Sequence, residues 1–299
     1  MKPTLLILAA GMASRYGSMK QIDGFGPNNE TIIDYSIYDA IKAGFGKVVF
    51  IIKEEYLEDF KAIFEPKLKG KIETAYVFQN FDIKQFGVDI EIERAKPWGT
   101  AHAILSGRTA INEPFCVINA DDFYGLDAYQ KMVNFLTTEV SDSNYSMIGY
   151  EIGKTLSDYG SVSRGVCKVN ENGVLEDINE RTKVLRNGDA IVFEEDDKQY
   201  PLTQDTRVSM NFWGFTPAVF QITEELFRDF AVQNKENPKA EFFIPLVAEY
   251  LVKSRKADFK VVPTDSKWFG VTYKEDKPIV KASIDQLIKD GAYPDNLWN

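Results

Sequence analysis

The chain has 299 residues, with 45 acidic and 35 basic side chains and a net charge of −10. Hydrophobic residues at 44% and charged residues at 27% match a globular chain and exclude disorder, collagen and coiled coil. The acidic balance argues against nucleic acid as the main partner but leaves room for a small anion in a local basic pocket.

Two cysteines, Cys116 and Cys167, rule out a disulfide scaffold and point to a reducing, cytoplasmic setting. Any catalytic triad, zinc site or imidazole base would have to use the single histidine, His102. The apolar run 4–9 is short and leads directly into a glycine-containing loop, so it is expected to be a buried first strand rather than a signal peptide. No other run is long enough to span a membrane.

The elements follow in chain order. After the strand at 4–9, Ile33, Ile37, Ala40 and Ile41 recur at helical spacing, with a capping box at Thr31 and Asp34 and a stop at Gly44. A second buried strand is expected at 48–52, a helix over 54–65 ending before Pro66, and short strands at 74–78 and 90–93. Thr100 begins another helix, and 115–118 is a third central strand. Continuous apolar strands separated by helices mean a mainly parallel sheet covered on both faces.

From 144 to 216 the pattern turns β-prone, around Val162, Val169, Val174 and Ile191 and then over 209–215. The polar stretch 194–205, with four acids in a row at 194–197, is expected to be a solvated loop. Two helices follow. Phe243, Leu246, Val247, Tyr250 and Leu251 are expected to share one face; Val280, Ile284, Leu287 and Ile288 share another, ending at Gly291.

In a parallel sheet, ligands bind at the carboxyl ends of the strands. The loop after the first strand runs from Ala9 to Gln21. Its small residues let backbone N–H groups approach a phosphate. Arg15 can clamp phosphate oxygens bidentately, and Lys20 adds a point charge. The loop has neither the Gly-Lys-Ser/Thr ending of a Walker A motif nor the three spaced glycines of a dinucleotide fingerprint. Asp121 and Asp122 form an aspartate pair at a strand end, a pattern that on its own is commonly a turn or a helix cap. The polar run 176–183 is either a ligand site or a surface hairpin, and Asn211 either meets a ligand or is a satisfied buried amide.

The stretch Leu8-Ala9-Ala10-Gly11-x-x-Ser14-Arg15-x-Gly17-x-x-Lys20-Gln21 resembles the signature of the sugar-1-phosphate nucleotidylyltransferases, or NDP-sugar pyrophosphorylases, with Ala13 where that signature usually has glycine. Three further motifs continue the resemblance over nearly the whole chain: Pro97-Trp98-Gly99-Thr100-Ala101-His102-Ala103, Val117 to Gly125, and Met210 to Phe215 with Pro217 and Phe220.

The resemblance implies a doubly wound α/β fold of Rossmann-like, GT-A-like type with a mainly parallel, mixed sheet and a smaller β-rich substrate portion. It implies one domain over 1–299, with a nucleotide-binding half at 1–140 and an acceptor half at 141–299 that includes a β-rich insertion at about 155–208. The implied reaction moves NMP from a nucleoside triphosphate to a sugar 1-phosphate or similar phosphorylated small molecule, with Mg²⁺, releasing pyrophosphate. Its implied catalytic residues are Arg15, Lys20 and Asp121, the last also the metal ligand. Leu8, Ala9, Ala10, Gly11, Ser14, Arg94, Gly99 and Thr100 would bind the nucleotide, and Asp122, Glu180, Arg181, Lys183 and Asn211 the acceptor.

The expected setting is cytoplasmic, with a homo-oligomer allowed and no nucleic acid or membrane partner. Two departures stand out. Gly270 replaces a second metal aspartate, for which Asp265, Glu275 or Asp276 could substitute, and Arg94 falls near a base-reading position that usually carries glutamine. A nucleotide-sugar-dependent glycosyltransferase and a catalytically degenerate regulatory subunit are the alternative readings. His102 is expected to be structural.

Overall fold

A computed structural model describes residues 1–11, 24–80, 82–90, 92, 94, 96–271, 273 and 275–299. The elements in chain order are β1 (Thr4–Leu8), α1 (Ile32–Ala43), β2 (Lys47–Ile52), α2 (Leu57–Leu68), β3 (Glu73–Phe78), α3 (Thr100–Ser106), β4 (Phe115–Asn119), β5 (Asp122–Phe123), α4 (Leu126–Thr138), β6 (Asn144–Glu151), β7 (Val162–Val169), β8 (Leu175–Asn187), β9 (Ala190–Glu195), β10 (Lys198–Leu202), β11 (Arg207–Phe215), α5 (Val219–Gln233), α6 (Ile244–Lys253), β12 (Asp258–Pro263), β13 (Phe269–Gly270) and α7 (Asp276–Lys289).

The strand order is β10-β9-β8-β7-β11-β4-β1-β2-β3, with β6 on the other side of β11 and β12 beyond it. β4, β1, β2 and β3 are parallel, so Asn119, Leu8, Ile52 and Phe78 end on one edge. β7 to β11 form an antiparallel extension. Side chains of β1 alternate between two cores: Leu5 and Ile7 join α1, α2 and α4, while Leu6 joins α3, α5 and α6. This is the mixed, doubly covered sheet expected from the strand composition. Among the described residues, no helix is long and apolar enough to cross a membrane.

β11 changes partner along its length. Val208 and Ser209 pair with β7, Trp213 to Phe215 pair with β4, and β6 follows the other edge. Ser209 opposes Gly149 and Trp213 opposes Met147, so Met210, Asn211 and Phe212 face a single residue of β6. Asn211 takes the left-handed conformation (φ 60°) that such a bulge demands and that asparagine tolerates.

Helix α1 has its capping box at Thr31 and Asp34 and ends at Gly44, whose φ of 111° suits a residue without a side chain. Asp34 does more than cap. It also accepts hydrogen bonds from Lys67 Nζ of α2 (2.9 Å) and from Trp298 Nε1 of the C-terminal segment (2.9 Å). That pairing explains why α2 continues through Pro66 to Leu68 instead of stopping. The proline deprives only one carbonyl near the helix end, while Lys67 is tied to Asp34 and Leu68 is buried.

Three other expectations are corrected. Ile90 and Ile92 lie outside any strand. The acid run is no loop: it closes the β9–β10 hairpin, with Asp196 and Asp197 both at positive φ, as a tight turn matching strand twist requires. In α6 the buried side is Ile244, Val247, Ala248 and Leu251, whereas Phe243, Leu246 and Tyr250 are more than a third exposed.

The C-terminal segment also docks through Tyr293, whose hydroxyl donates to Asp39 Oδ2 (2.7 Å). Asp39 is buried on α1, and burial pushes its carboxyl up to about 7 against the opposing effects of that hydrogen bond and of Lys42. Between pH 4 and 7 the folded protein therefore holds a proton that the unfolded chain has released, so this group lowers stability as pH rises through that window and adds no further slope above it. The advantage of Asp39→Asn over wild type in urea unfolding should grow from pH 4 to pH 7, to at most about 4 kcal/mol. An advantage independent of pH would remove this account.

Candidate active site

The carboxyl ends of β1 and β4 meet where β11 changes partner. Leu8 pairs with Asn119 and Ile51, Ala9 N–H donates to the Ile51 carbonyl (2.8 Å), and Ala120 N–H donates to the Leu8 carbonyl (3.2 Å). Ala10 is buried, and a Cβ at Gly11 would meet open space. Ser14, Arg15 and Lys20 lie outside the described residues.

Beyond β4 the chain turns through Ala120 and Asp121 into Asp122. A one-way chain of donors leads to Asp122. Trp213 Nε1 donates to Asn211 Oδ1 (3.3 Å), Asn211 Nδ2 to Asn119 Oδ1 (3.4 Å), and Asn119 Nδ2 to Asp122 Oδ2 (2.9 Å). The Tyr124 hydroxyl accepts from the Asn119 N–H (3.1 Å), donates to the Met210 carbonyl (2.8 Å) and lies 3.2 Å from Asp122 Oδ2. Burial first, and then the charge of Asp121, hold the Asp122 carboxyl above the usual range; Asn119, Arg164 and Tyr124 pull it down. Asn211 therefore has its amide engaged, and its visible effect is to orient Asn119.

Sequence reasoning missed Arg164. Its guanidinium is buried at the start of β7, where it donates from Nε to Thr155 Oγ1 (3.1 Å), from Nη2 to the Thr155 carbonyl and from Nη1 to the Ser163 carbonyl (2.7 Å). It lies 4.7 Å from the ring centroid of Trp268. Burial lowers its pKa to about 10, and the charges of Asp122, Glu180 and Asp276 oppose that fall. A signal existed, an arginine amid the β-prone residues of 162–169, but nothing local marks it as buried.

Glu180, Arg181 and Lys183 line one polar hollow of about 300 Å³, closed on the far side by the Glu194–Asp197 turn. Arg181 is engaged across the strands, 2.5 Å from Glu195 and 4.3 Å over the Phe193 ring. The walls of the hollow raise the Glu180 carboxyl, and Arg164 draws it back.

Arg94 has a different task from the base reading expected of it. Its donors reach the carbonyls of Lys96, Pro97, Asn237 and Ala240, and it lies 3.8 Å over the Trp98 ring, fastening two loops together. Of the three carboxylates weighed as substitutes at Gly270, Asp276 accepts from Ser157 Oγ (2.9 Å) and Tyr273 N–H (2.7 Å). Asp265 is exposed near Lys131, and Glu275 is exposed at the start of α7.

Gly99 and Thr100 join α3 to α6. Phe242 N–H donates to the Trp98 carbonyl (2.6 Å), Ala101 N–H to the Phe242 carbonyl (2.9 Å), and Ile244 N–H to Thr100 Oγ1 (3.1 Å), which caps α6 from outside. Gln79 Nε2 supports the turn through the Gly99 carbonyl and lies 3.1 Å from His102 Nδ1. Burial and the nearby Arg94 and Arg108 lower His102 to about 3, so it is a neutral packing residue as expected. Gly99 has φ 102°, and a Cβ there would lie 2.5 to 2.8 Å from Phe242 backbone atoms. Gly99→Ala should therefore cost about 2–4 kcal/mol in chemical unfolding, and a loss below about 1 kcal/mol would contradict this packing.

Comparison with known proteins gives a consistent outcome. The family model described as nucleotidyl transferase matches residues 6–272. No curated protein matches the chain. Among solved structures, the inositol-1-phosphate CTP transferase from T. maritima superposes with a TM-score of 0.63 at 13% identity, covering 95% of this chain and 97% of that one. A putative glucose-1-phosphate thymidylyltransferase from Bacillus anthracis, in complex with a sucrose, gives 0.65 at 14%, covering 94% of each. A UDP-glucose pyrophosphorylase complexed with UDP-glucose gives 0.60 at 18%, covering 96% and 99%. At these identities the superpositions establish a shared fold. The family match spans most of the chain, and on that ground the protein belongs to the nucleotidyl transferase family.

Proposed function

We propose that the protein transfers a nucleotidyl group from a nucleoside triphosphate to a sugar 1-phosphate or a similar phosphorylated small molecule, with Mg²⁺, and releases pyrophosphate. The observation that carries this reading is the Asp121–Asp122 turn at the carboxyl end of β4, held where the parallel and antiparallel parts of the sheet separate. Ligands of open α/β sheets bind at such a switch point. In this reading the nucleotide belongs to the half through residue 140 and the acceptor to the half from 141, with β7 to β10 as its β-rich part.

The donor set suits a hard cation. The turn offers carboxylate oxygens, His102 is buried elsewhere, and both cysteines are buried. Among the described residues no group of three or more His, Cys, Asp or Glu could hold a metal. A cation held by the Asp121–Asp122 turn would thus keep places for phosphate oxygens and water, which is how Mg²⁺ is usually bound. When bound at Asp121, it would neutralise charge on the triphosphate and on the pyrophosphate as it leaves.

The reaction joins an acceptor phosphate oxygen to the α-phosphorus. As the new P–O bond forms, the bond to the bridging oxygen breaks, and its electron pair leaves with pyrophosphate. The nucleophile is already anionic, so the chain need not remove a proton, which agrees with a lone histidine held neutral in the core. The protein's part is positioning and charge neutralisation. Arg15 and Lys20 would clamp the triphosphate with the loop that follows Gly11, Ser14 among its residues. Leu8 to Ala10 and the Gly99–Thr100 turn would border the nucleotide. Glu180 and Lys183 would meet the acceptor, and Arg181 would do so only on leaving Glu195. Arg94 takes no part in base contact here, and Asn211 acts through Asn119.

Pyrophosphate release should require Mg²⁺, one nucleoside triphosphate and one sugar 1-phosphate together, tested as a panel of pairs. Asp121→Asn and Arg15→Ala should each lower kcat by about 100-fold or more, the scale expected when a charge-stabilising group is removed. Absence of release from every pair would sink the reading.

A further inference from the structure

The turn carries two carboxylates, and the second has an unusual neighbour. Strand β5 pairs antiparallel with β13, with Asp122 opposite Gly270 and Phe123 opposite Phe269. The two phenyl rings stack at 4.2 Å with an interplanar angle of 3°, so the register is held firmly. A Cβ on Gly270 would lie 2.6 Å from Asp122 Oδ1 and 2.9 and 3.2 Å from atoms of the Trp268 ring. A side chain at position 270 would press first on the Asp122 carboxylate and then on the Trp268 ring. The Trp268 ring also stands 4.7 Å from the Arg164 guanidinium, so the indole touches both the glycine position and the buried cation.

Asp122 is also aimed. It is 8% exposed. Oδ2 is held by Asn119 Nδ2 at 2.9 Å with the Tyr124 hydroxyl 3.2 Å away, whereas Oδ1, among the described residues, receives no hydrogen bond and faces the glycine. A buried carboxylate with one oxygen anchored and the other unengaged, next to Asp121, is arranged to meet a cation.

We propose that Asp122, with Asp121, supplies the carboxylates that face the divalent cation, and that Gly270 is the residue that makes room for Asp122 to do so. The inference rests on the metal-assisted transfer proposed above. It assigns to a glycine a role in metal binding, and it explains how this chain completes the site without a carboxylate on β13. Asp122 and Gly270 act as one unit: a carboxylate can stand on either strand of the pair, but not on both.

The test is Mn²⁺ binding to the full chain, followed by electron paramagnetic resonance and calorimetry, with thermal unfolding measured in parallel. Asp122→Asn keeps the size of the side chain and an acceptor for Asn119. It should weaken Mn²⁺ binding by about tenfold or more, as Asp121→Asn should, with little change in Tm. Asp122→Gly should lose binding, and the double variant Asp122→Gly with Gly270→Asp should regain it to within about fivefold of wild type. Gly270→Ala should lower Tm by several degrees, about what displacing packed neighbours costs.

Wild-type Mn²⁺ affinity in Asp122→Asn, with affinity lost in Asp121→Asn, would overturn the inference while leaving nucleotidyl transfer intact. Absence of saturable Mn²⁺ binding by wild type would overturn it as well. The expected pattern in a protein that releases no pyrophosphate from any substrate pair would uphold the inference and defeat the functional reading.

Discussion

The site depends on β11 serving two partners that end at different heights. Its first residues hydrogen-bond β7, its last ones β4, and β6 lies along the whole of its other edge. A regular strand could not satisfy all three. Met210, Asn211 and Phe212 absorb the mismatch as a bulge, with Asn211 in the left-handed region. The distortion frees the Met210 carbonyl to receive the Tyr124 hydroxyl, and it turns the Asn211 amide toward Asn119. Both contacts converge on Asp122. The backbone irregularity that joins the two parts of the sheet is thus the same feature that orients the carboxylate turn.

Charge is arranged on two scales. The chain as a whole is acidic, which disfavours non-specific association with polyanions. Near the carboxylate turn, Arg164 is buried without a direct carboxylate contact among the described residues, held instead by carbonyl and hydroxyl oxygens. A guanidinium fixed in this way acts as a stationary positive charge within the electrostatic reach of Asp122, Glu180 and Asp276, held by Thr155 and packed near Trp268. Arg94 shows the contrasting case. Its charge is spent on four backbone carbonyls, and its value is in joining the loop before α3 to the loop before α6.

Much of the framework could be read directly. The strands β1, β2 and β4 follow from continuous apolar runs, and α1 from its apolar spacing and capping box, because these signals act over a few residues and need no distant partner. The errors share a cause. Pro66 should have ended α2, but Asp34, from another helix, holds the next residue in place. The acid run 194–197 is mostly exposed, as expected, but the stretch read as a loop is a hairpin, because its strands pair through backbone hydrogen bonds that are indifferent to side-chain charge. In α6, both the buried and the outward sides carry large apolar residues, so periodicity could not tell Ile244 and Ala248 from Phe243 and Tyr250.

By itself, the sequence determined the central parallel strands of a mixed sheet, the capped first helix and the carboxylate pair that follows β4. Each of these is set by residue type and short-range spacing. Tertiary structure alone decided which side chains serve the site and which serve the frame. Arg94 and Arg164 are the same residue type, and neither sequence pattern reveals that Arg94 fastens Asn237 and Ala240 while Arg164 is a buried charge held by Thr155. Gly270 looked like a lost carboxylate until its opposite number on β5 was known. A pairing between residues nearly 150 positions apart leaves no trace in either local pattern, because the space a side chain may occupy is defined by what folds against it.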